Sequence, residues 1–209
     1  VFLSAHCIPL GNSWLRELCE PIFSGAAPYA FGRQVIRDGI SSVAEGQVFT
    51  HYYPESNSAP RLPFFVNNAN AALNKKTWEN FKFNETLTGL EDMALGKLLV
   101  DRGQCICYVP HAIVEHIHDE NWIRIKNRYE REAVALQTID ESLTLNFLEA
   151  IYCFINATSK DLMRNFAGVP GNFFDILRYR SAQFYGGYSG GKLSRKKVNE
   201  RKNIYFYPR

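Results

Sequence analysis

An acidic pair at the predicted start of a helix is the part of the chain best suited to acid–base chemistry. Thr88 and Glu91 have the spacing of a capping box, in which the threonine caps the helix and the glutamate reaches back to the N-cap amide. This assignment leaves Asp92 in the first turn, where backbone amides and the helix dipole favour an ionised carboxylate. Such an aspartate could accept a proton from a substrate hydroxyl. The alternative is an ordinary capped helix with a solvated aspartate.

Two histidines and an arginine are further candidates for chemistry. His116 and His118 alternate, so a strand would place both on one face, as metal ligands require. A hydrogen-bonded or surface pair of histidines fits the same spacing. Arg33 ends a predicted strand and could hold a phosphate through two hydrogen bonds. It could equally form a surface ion pair with Glu45 or Asp38.

Amide and basic side chains are clustered at two other places. Asn67, Asn68 and Asn70 suit either a turn that hydrogen-bonds its own backbone or a site that grips a hydroxyl-rich ligand. Arg128 belongs to a basic set on a predicted helix over residues 121–140. That set could approach a pyrophosphate, or form a mixed, solvated face with neighbouring glutamates.

The elements that must position these residues predict an α/β fold. Short apolar runs predict strands at residues 1–3, 28–34, 64–66, 104–109 and 112–114. Helical spacing predicts a short helix from residue 14 and further helices over residues 75–80, 90–103, 121–140 and 143–155. The aromatic-rich segment 46–63 has no clear period and predicts a long loop.

Composition narrows the class of protein. A chain of 209 residues with 46% apolar residues can bury a core, which excludes global disorder. No apolar run reaches membrane-spanning length. From Lys192 onward seven cations face the single anion Glu200. This basic tail could be solvated or could bind an anionic surface, and the tyrosines and glycines of residues 178–191 favour a membrane over nucleic acid.

The five cysteines are scattered and odd in number, which argues against a disulfide framework. Cys105 and Cys107 alternate within an apolar run and are predicted to be buried thiols in a strand. Together these features predict a reducing, cytoplasmic compartment.

The order of these features resembles the catalytic domain of inverting family 2 glycosyltransferases with the GT-A fold. It looks most like bacterial rhamnosyltransferase-type enzymes that build surface polysaccharides such as lipopolysaccharide. The similarity covers residues 1–137 and rests on residues 1–9 with Trp14-Leu15, Phe31-Gly32-Arg33-Gln34, residues 67–73, Phe83-Asn84-Glu85 with Glu91-Asp92, residues 103–112, and His116-Ile117-His118 ahead of residues 128–132.

The resemblance implies a Rossmann-like mixed sheet flanked by helices. Residues 1–140 would form the acceptor and catalytic half of the GT-A domain, and residues 141–209 a helical, basic extension. Since the family's nucleotide-binding strands precede this region, we expect an upstream segment before Val1.

The resemblance also implies site residues. Asp92 would be the catalytic base, with Glu91 beside it, and His116 or His118 would bind a metal ion. The implied substrate-binding residues are Arg33, Asn68, Asn70 and Arg128.

The implied reaction moves a sugar from a nucleotide-diphosphate donor to a glycan or lipid-linked glycan acceptor, with inversion, at the cytosolic face of the membrane. The family's Asp-x-Asp, which holds a divalent metal ion, aligns with Ser4-Ala5-His6. Either His6 replaces the usual oxygen ligand for Mn²⁺ or Mg²⁺, or the diphosphate is neutralised without a metal ion.

The missing aspartates also favour a second interpretation. The chain would then be a catalytically degenerate, glycosyltransferase-like module that binds a glycan or a partner subunit. The acidic pair Glu91-Asp92 and His116 argue against this alternative.

Overall fold

The computed structural model of the chain describes residues 1–37, 42–56, 62–118, 120–166, 172–193, 197–198 and 200, except for the side chains of residues 165 and 166. The chain divides into two compact units. Unit 1 comprises residues 1–41, 46–84 and 91–118, and unit 2 comprises residues 42–45, 85–90 and 119–209. Most of the predicted basic tail, and Asp38 as a predicted partner of Arg33, lie outside the described residues.

A five-stranded mixed sheet forms the centre of unit 1, with strand order β1-β4-β3-β5-β2. The strands are β1 (Phe2–Leu3), β2 (Cys7–Pro9), β3 (Tyr29–Ile36), β4 (Asn70–Leu73) and β5 (Ile106–His116). The helices of this part of the chain are α1 (Trp14–Phe23), α2 (Val43–Tyr52), α3 (Lys75–Asn80) and α4 (Glu91–Val100). The predicted mixed α/β architecture with flanking helices is therefore confirmed.

Apolar side chains cover both faces of this sheet. Leu18 and Cys19 of α1 form a buried cluster with Ala72 of β4 and Ala112 of β5. The ring of Phe31 packs with the rings of Phe65, Tyr53 and Tyr108. In the β3–β4 ladder Phe31 pairs with Ala71, whereas Ala72 of the first cluster pairs with Ala30. Because successive residues of a strand point to opposite faces, the two clusters lie on opposite sides of the sheet.

The pairing of β3 with β5 is interrupted beside Asn70, the first residue of the neighbouring strand β4. Gly32 pairs with Val109, but Gln34 pairs with Val114, so residues 110–113 bulge out of register. The Nδ2 group of Asn70 donates to the carbonyls of Arg33 (3.2 Å) and Ala112 (2.8 Å) at this break.

The same amide fixes two further parts of unit 1. Its Oδ1 accepts a hydrogen bond from Trp14 Nε1 at 2.9 Å, which ties α1 to the sheet. A Cβ atom on Gly32 would lie 2.2 Å from the Ala112 carbonyl and 2.3 Å from Asn70 Nδ2. Position 32 therefore requires glycine.

The structure corrects three predictions made for unit 1. The strands predicted at residues 104–109 and 112–114 are one strand, β5, because Pro110, which has no N–H, falls in the bulge where no ladder bond is needed. The loop predicted over residues 46–63 contains most of α2, although residues 57–61 lie outside the described residues. Cys105 precedes β5 and is exposed, whereas Cys107 is half-buried.

Unit 2 consists mainly of α5 (Trp122–Ile139), α6 (Phe147–Phe166) and α7 (Phe173–Gly191), with a 3₁₀ turn at Glu141–Leu143. The predicted helix over 121–140 is confirmed, with Asn121 as its N-cap. The resemblance implies that residues 1–140 form one half-domain, whereas α5 belongs to unit 2. Among the described residues no helix is long and apolar enough to cross a membrane.

Glycines allow α7 to pack directly against the backbone of α5. A Cβ atom on Gly186 would lie 2.5 Å from the carbonyl of Lys126, and one on Gly190 would lie 2.2 Å from the carbonyl of Glu130. The glycine-rich run predicted to be an interfacial segment is thus a helix whose small residues serve packing within unit 2.

We predict that Asn70→Ala destabilises the protein. Two buried carbonyls and the Trp14 N–H would lose their partner, which costs on the order of 3 kcal/mol in the free energy of unfolding. Urea denaturation monitored by circular dichroism measures the loss. Asn80→Ala, at an exposed end of α3, is the control and should stay within about 0.5 kcal/mol of wild type. Equal stability of the two variants would contradict the role of Asn70.

Candidate functional site

The candidate catalytic and metal-binding residues of unit 1 lie at one edge of the sheet. Strands β1, β3 and β5 run parallel, because β4 is antiparallel to both β1 and β3 while β3 is parallel to β5. Their carboxyl ends therefore lie at one edge, where ligands bind in open α/β sheets. Hydrogen bonds join the turns at this edge: Ser4 N donates to Ala69 O (3.1 Å) and Ile117 N to His6 O (3.0 Å).

Asp92 is the buried carboxyl group at this edge. It is the second residue of α4, and its Oδ2 accepts a hydrogen bond from the backbone N–H of Asn68 at 2.7 Å. Its Oδ1 accepts from Met93 N at 2.8 Å. Burial raises the pKa of Asp92 to about 7; the hydrogen bond from Asn68 opposes this shift, and the charge of Glu91 adds to it. The carboxyl group can therefore gain or lose a proton near neutral pH.

Asn68 is itself fixed by a buried tyrosine. The hydroxyl of Tyr29, the first residue of β3, donates to Asn68 Oδ1 at 2.6 Å. Burial, followed by the charge of Asp92, raises the pKa of Tyr29 well above its ordinary value. The tyrosine therefore remains a hydrogen-bond donor at any physiological pH. Asn67 completes the turn, since its Oδ1 accepts from Ala69 N at 2.9 Å, as predicted for a turn that bonds its own backbone.

The predicted capping box is wrong. Helix α4 begins at Glu91, so the glutamate is the first helical residue instead of the third. Leu90 precedes it with φ of 55°, a conformation that residues other than glycine rarely adopt. The hydroxyl of Thr88 donates weakly to the carbonyl of Arg131, within unit 2, at 3.4 Å. The prediction from the Thr88–Glu91 spacing was wrong because Leu90, two positions after Thr88, has a left-handed conformation and separates Thr88 from the start of α4.

Three histidines meet at the same edge. His6 lies in the turn between β1 and β2, His116 is the last residue of β5, and His118 follows two residues later. Ring centroids are 4.7 Å apart for His6 and His116, 4.1 Å for His116 and His118, and 5.6 Å for His6 and His118. One ring nitrogen from each lies within 4.8 Å of the others. The structure thus brings together the three residues that were predicted as metal ligands.

A buried amide orients the central histidine. His116 Nδ1 lies 2.6 Å from Oε1 of Gln34, and both side chains are buried. A carbonyl oxygen only accepts, so Nδ1 carries the proton and Nε2 carries the lone pair. The ring of Phe49 packs 5.6 Å from His116 and 6.0 Å from His118, which restricts both imidazoles.

Asn70 and Arg33, two predicted substrate contacts of unit 1, have protein partners. Asn70 is fully buried, and its side chain makes the three hydrogen bonds described above. These bonds connect α1, β3 and β5, and the sugar contact predicted for Asn70 has no support in this geometry. Arg33 forms an ion pair with Glu55 at 2.6 Å, as the ion-pair alternative predicts, although with a partner other than the predicted Glu45 or Asp38.

Of the other two predicted substrate contacts, Asn68 bonds Tyr29 and Asp92 as described above, and Arg128 lies in unit 2. Its Nε donates to Glu120 at 2.8 Å and its Nη2 to Glu45 at 3.3 Å. Its side chain is 17% exposed. The guanidinium is therefore neutralised by two carboxylates within unit 2. These partners differ from the neighbouring glutamates of the predicted solvated face, and the geometry gives no evidence of a pyrophosphate contact.

Sequence reasoning missed Tyr29, Gln34 and Phe49. Gln34 had a visible feature: it is an amide inside an apolar strand, and buried amides require a partner. Tyr29 and Phe49 had none, because an aromatic residue beside a site has the same sequence pattern as one in the core.

None of the protein-family models, curated proteins and solved structures compared with this chain matches it.

The raised pKa of Asp92 predicts that stability depends on pH. The folded state holds the proton up to a pH of about 7, whereas the ordinary pKa is 3.8. This contribution is complete below pH 3.8 and is lost as the pH rises through 7. Relative to Asp92→Asn, wild type should therefore lose on the order of 1 kcal/mol of unfolding free energy per pH unit across that window.

Urea denaturation at half-unit pH steps measures this difference. Asp101→Asn is the control, because Asp101 is exposed on the turn that follows α4, where it pairs with Lys97; it should keep the wild-type pH dependence. Parallel curves for wild type and Asp92→Asn would contradict the raised pKa.

Proposed function

We propose that the protein is an inverting glycosyltransferase of the GT-A type, with Asp92 as its catalytic base. The single observation that carries this proposal is a buried carboxyl group with a pKa of about 7 at the carboxyl edge of a mixed sheet. A general base works best when its pKa lies near the working pH. The proposed donor is a nucleotide-diphosphate sugar, and the proposed acceptor is a glycan or a lipid-linked glycan.

The reaction requires only one carboxylate. Asp92 takes the proton from the acceptor hydroxyl while the hydroxyl oxygen attacks the anomeric carbon, and the bond from that carbon to the diphosphate oxygen breaks on the opposite side. A single displacement of this kind inverts the anomeric configuration. The hydrogen bonds from Asn68 and Met93 hold the carboxylate in place through backbone atoms, so its position does not depend on a mobile side chain.

The metal ion implied by the resemblance does not fit the residues present. Mg²⁺ and Mn²⁺ prefer carboxylate, carbonyl and water oxygens. At the position of the family's Asp-x-Asp this chain offers Ser4, Ala5 and His6, and the grouped side chains are three imidazoles. We therefore assign no step of the transfer to such an ion.

The proposal predicts that Asp92→Asn lowers the rate of sugar transfer by about 10²- to 10⁴-fold, the usual contribution of a general base. The wild-type value of kcat/KM should rise with pH and level off above pH 7, as the carboxyl group ionises. The measurement is product formation from a panel of nucleotide-diphosphate sugars and glycan acceptors between pH 5 and 9.

Asp101→Asn is again the matched control and should keep wild-type activity. Donor binding by calorimetry should be unchanged in Asp92→Asn, which separates loss of the base from loss of the fold. Full activity of Asp92→Asn would overturn the assignment.

The second candidate is a degenerate module that binds a glycan or a partner subunit without turnover. The Ser4-Ala5-His6 sequence favours it, because the aspartates of the family motif are absent. The same donor panel discriminates the two functions. Absence of turnover with every donor, with or without added Mn²⁺, supports the module.

We further propose that unit 2 meets an anionic membrane surface, where a lipid-linked acceptor would lie. One side of α6 exposes apolar residues at helical spacing, including Leu148, Ile151, Tyr152 and Ile155. The tail after α7 carries seven cations against one anion. An apolar helix face combined with basic residues suits the interface of an anionic bilayer.

The double variant Leu148→Ser/Ile155→Ser should bind vesicles about tenfold more weakly or worse, because two exposed apolar side chains no longer enter the interface. Co-sedimentation with phosphatidylglycerol-containing vesicles measures binding, and pure phosphatidylcholine vesicles test the need for charge. Phe23→Ser, in unit 1 at 81% exposure, is the control. Equal binding by the double variant and wild type would contradict this surface.

A further inference from the structure

The three histidines at the sheet edge form a donor set made of nitrogen. His6, His116 and His118 each contribute one ring nitrogen within 4.8 Å of the others. Three imidazoles suit zinc and its chemical neighbours, whereas magnesium and manganese favour oxygen donors. The mismatch noted for Mn²⁺ and Mg²⁺ thus points to a different class of metal ion.

We propose that these histidines bind one divalent ion of the zinc class, with an open coordination position. Nitrogens around a tetrahedral zinc ion lie about 3.3 Å apart, as follows from a zinc–nitrogen distance of about 2.05 Å. Closing the cluster from 4.8 Å therefore needs a contraction of about 1.5 Å at most. His6 is exposed and lies in a turn, so rotation of its side chain can supply it.

The surroundings of His116 support ligation independently of the distances. A metal-binding histidine usually donates its second ring N–H to an oxygen acceptor, which fixes the tautomer. Gln34 Oε1 is placed for this role 2.6 Å from Nδ1, and Gln34 is 1% exposed. In His116, Nε2 is then the ring nitrogen whose lone pair can bind a metal ion.

The backbone also restrains the ligands before a metal ion arrives. Cys7 pairs with His116 across the β2–β5 ladder, and Ile117 N donates to the carbonyl of His6. The turn that carries His6 and the strand end that carries His116 therefore cannot separate without breaking these bonds. Three protein nitrogens leave a fourth position open, as in zinc sites that bind water or a substrate oxygen.

The experiment measures metal binding without any sugar donor. Untagged, chelator-treated protein is dialysed against Zn²⁺, Co²⁺, Mn²⁺ or Mg²⁺, and bound metal is counted by plasma emission spectroscopy. We expect one zinc or cobalt ion per chain and no retained magnesium. The visible spectrum of the cobalt form should show the intense bands of a four-coordinate site.

Five variants test which residues bind the metal ion. His6→Ala and His118→Ala should lose the bound zinc, and because His6 is exposed and His118 half-buried, neither change should unfold the chain. Gln34→Ala should weaken zinc binding 10- to 100-fold. His6→Asp should raise the affinity for Mn²⁺ relative to Zn²⁺, since it restores an oxygen ligand. His111→Ala, an exposed histidine on the same strand as His116, is the control.

Absence of retained zinc in folded wild-type protein would overturn the proposal. So would zinc retention that survives both His6→Ala and His118→Ala, or that falls equally in His111→Ala. The inference stands apart from the transferase proposal, because an inactive protein can still bind zinc and an active one can lack it.

Discussion

The side-chain amide of Asn70 is the interaction on which the candidate site depends. It satisfies two carbonyls where the β3–β5 ladder is broken and accepts a hydrogen bond from Trp14 of α1. Such a break would otherwise leave buried polar groups without partners, at a cost of about 1–3 kcal/mol each. Because Asn70 also begins β4, the turn before it is fixed against the sheet. That turn supplies the Asn68 N–H that holds Asp92.

The same edge therefore holds two groups that could take part in chemistry, the carboxyl group of Asp92 and the cluster of three imidazoles. Burial destabilises the charged form of Asp92, and backbone hydrogen bonds return part of that cost, which leaves a pKa near neutrality. Ala69, the residue after Asn68, accepts a hydrogen bond from the N–H of Ser4, and the turn that begins at Ser4 continues to His6. The carboxyl group and the imidazole cluster are thus held by hydrogen bonds to the turn over residues 67–69 and to the strand ends, so the sheet register determines both.

Sequence reasoning succeeded where periodicity or local chemistry is strong. Strand β3, helix α4 and helix α5 were predicted because apolar spacing and end residues agree there. It failed where a distant contact decides local structure. Pro110 is tolerated inside β5 because it falls in the bulge, where no ladder bond is needed. Leu90 takes a positive φ that no spacing rule anticipates. Grouping His6 with His116 required the resemblance, since 110 positions separate them in the chain.

The histidine of Ser4-Ala5-His6 is one of a group at the sheet edge. A single imidazole would be a poor ligand for a hard cation such as Mg²⁺, which prefers oxygen. The imidazole of His6 instead stacks on that of His116, and Gln34 fixes the tautomer of this buried histidine. The donor atoms grouped here are therefore ring nitrogens. The pKa of Asp92 depends on burial and on backbone hydrogen bonds, so the role proposed for Asp92 as a base does not depend on whether the histidines bind a metal ion.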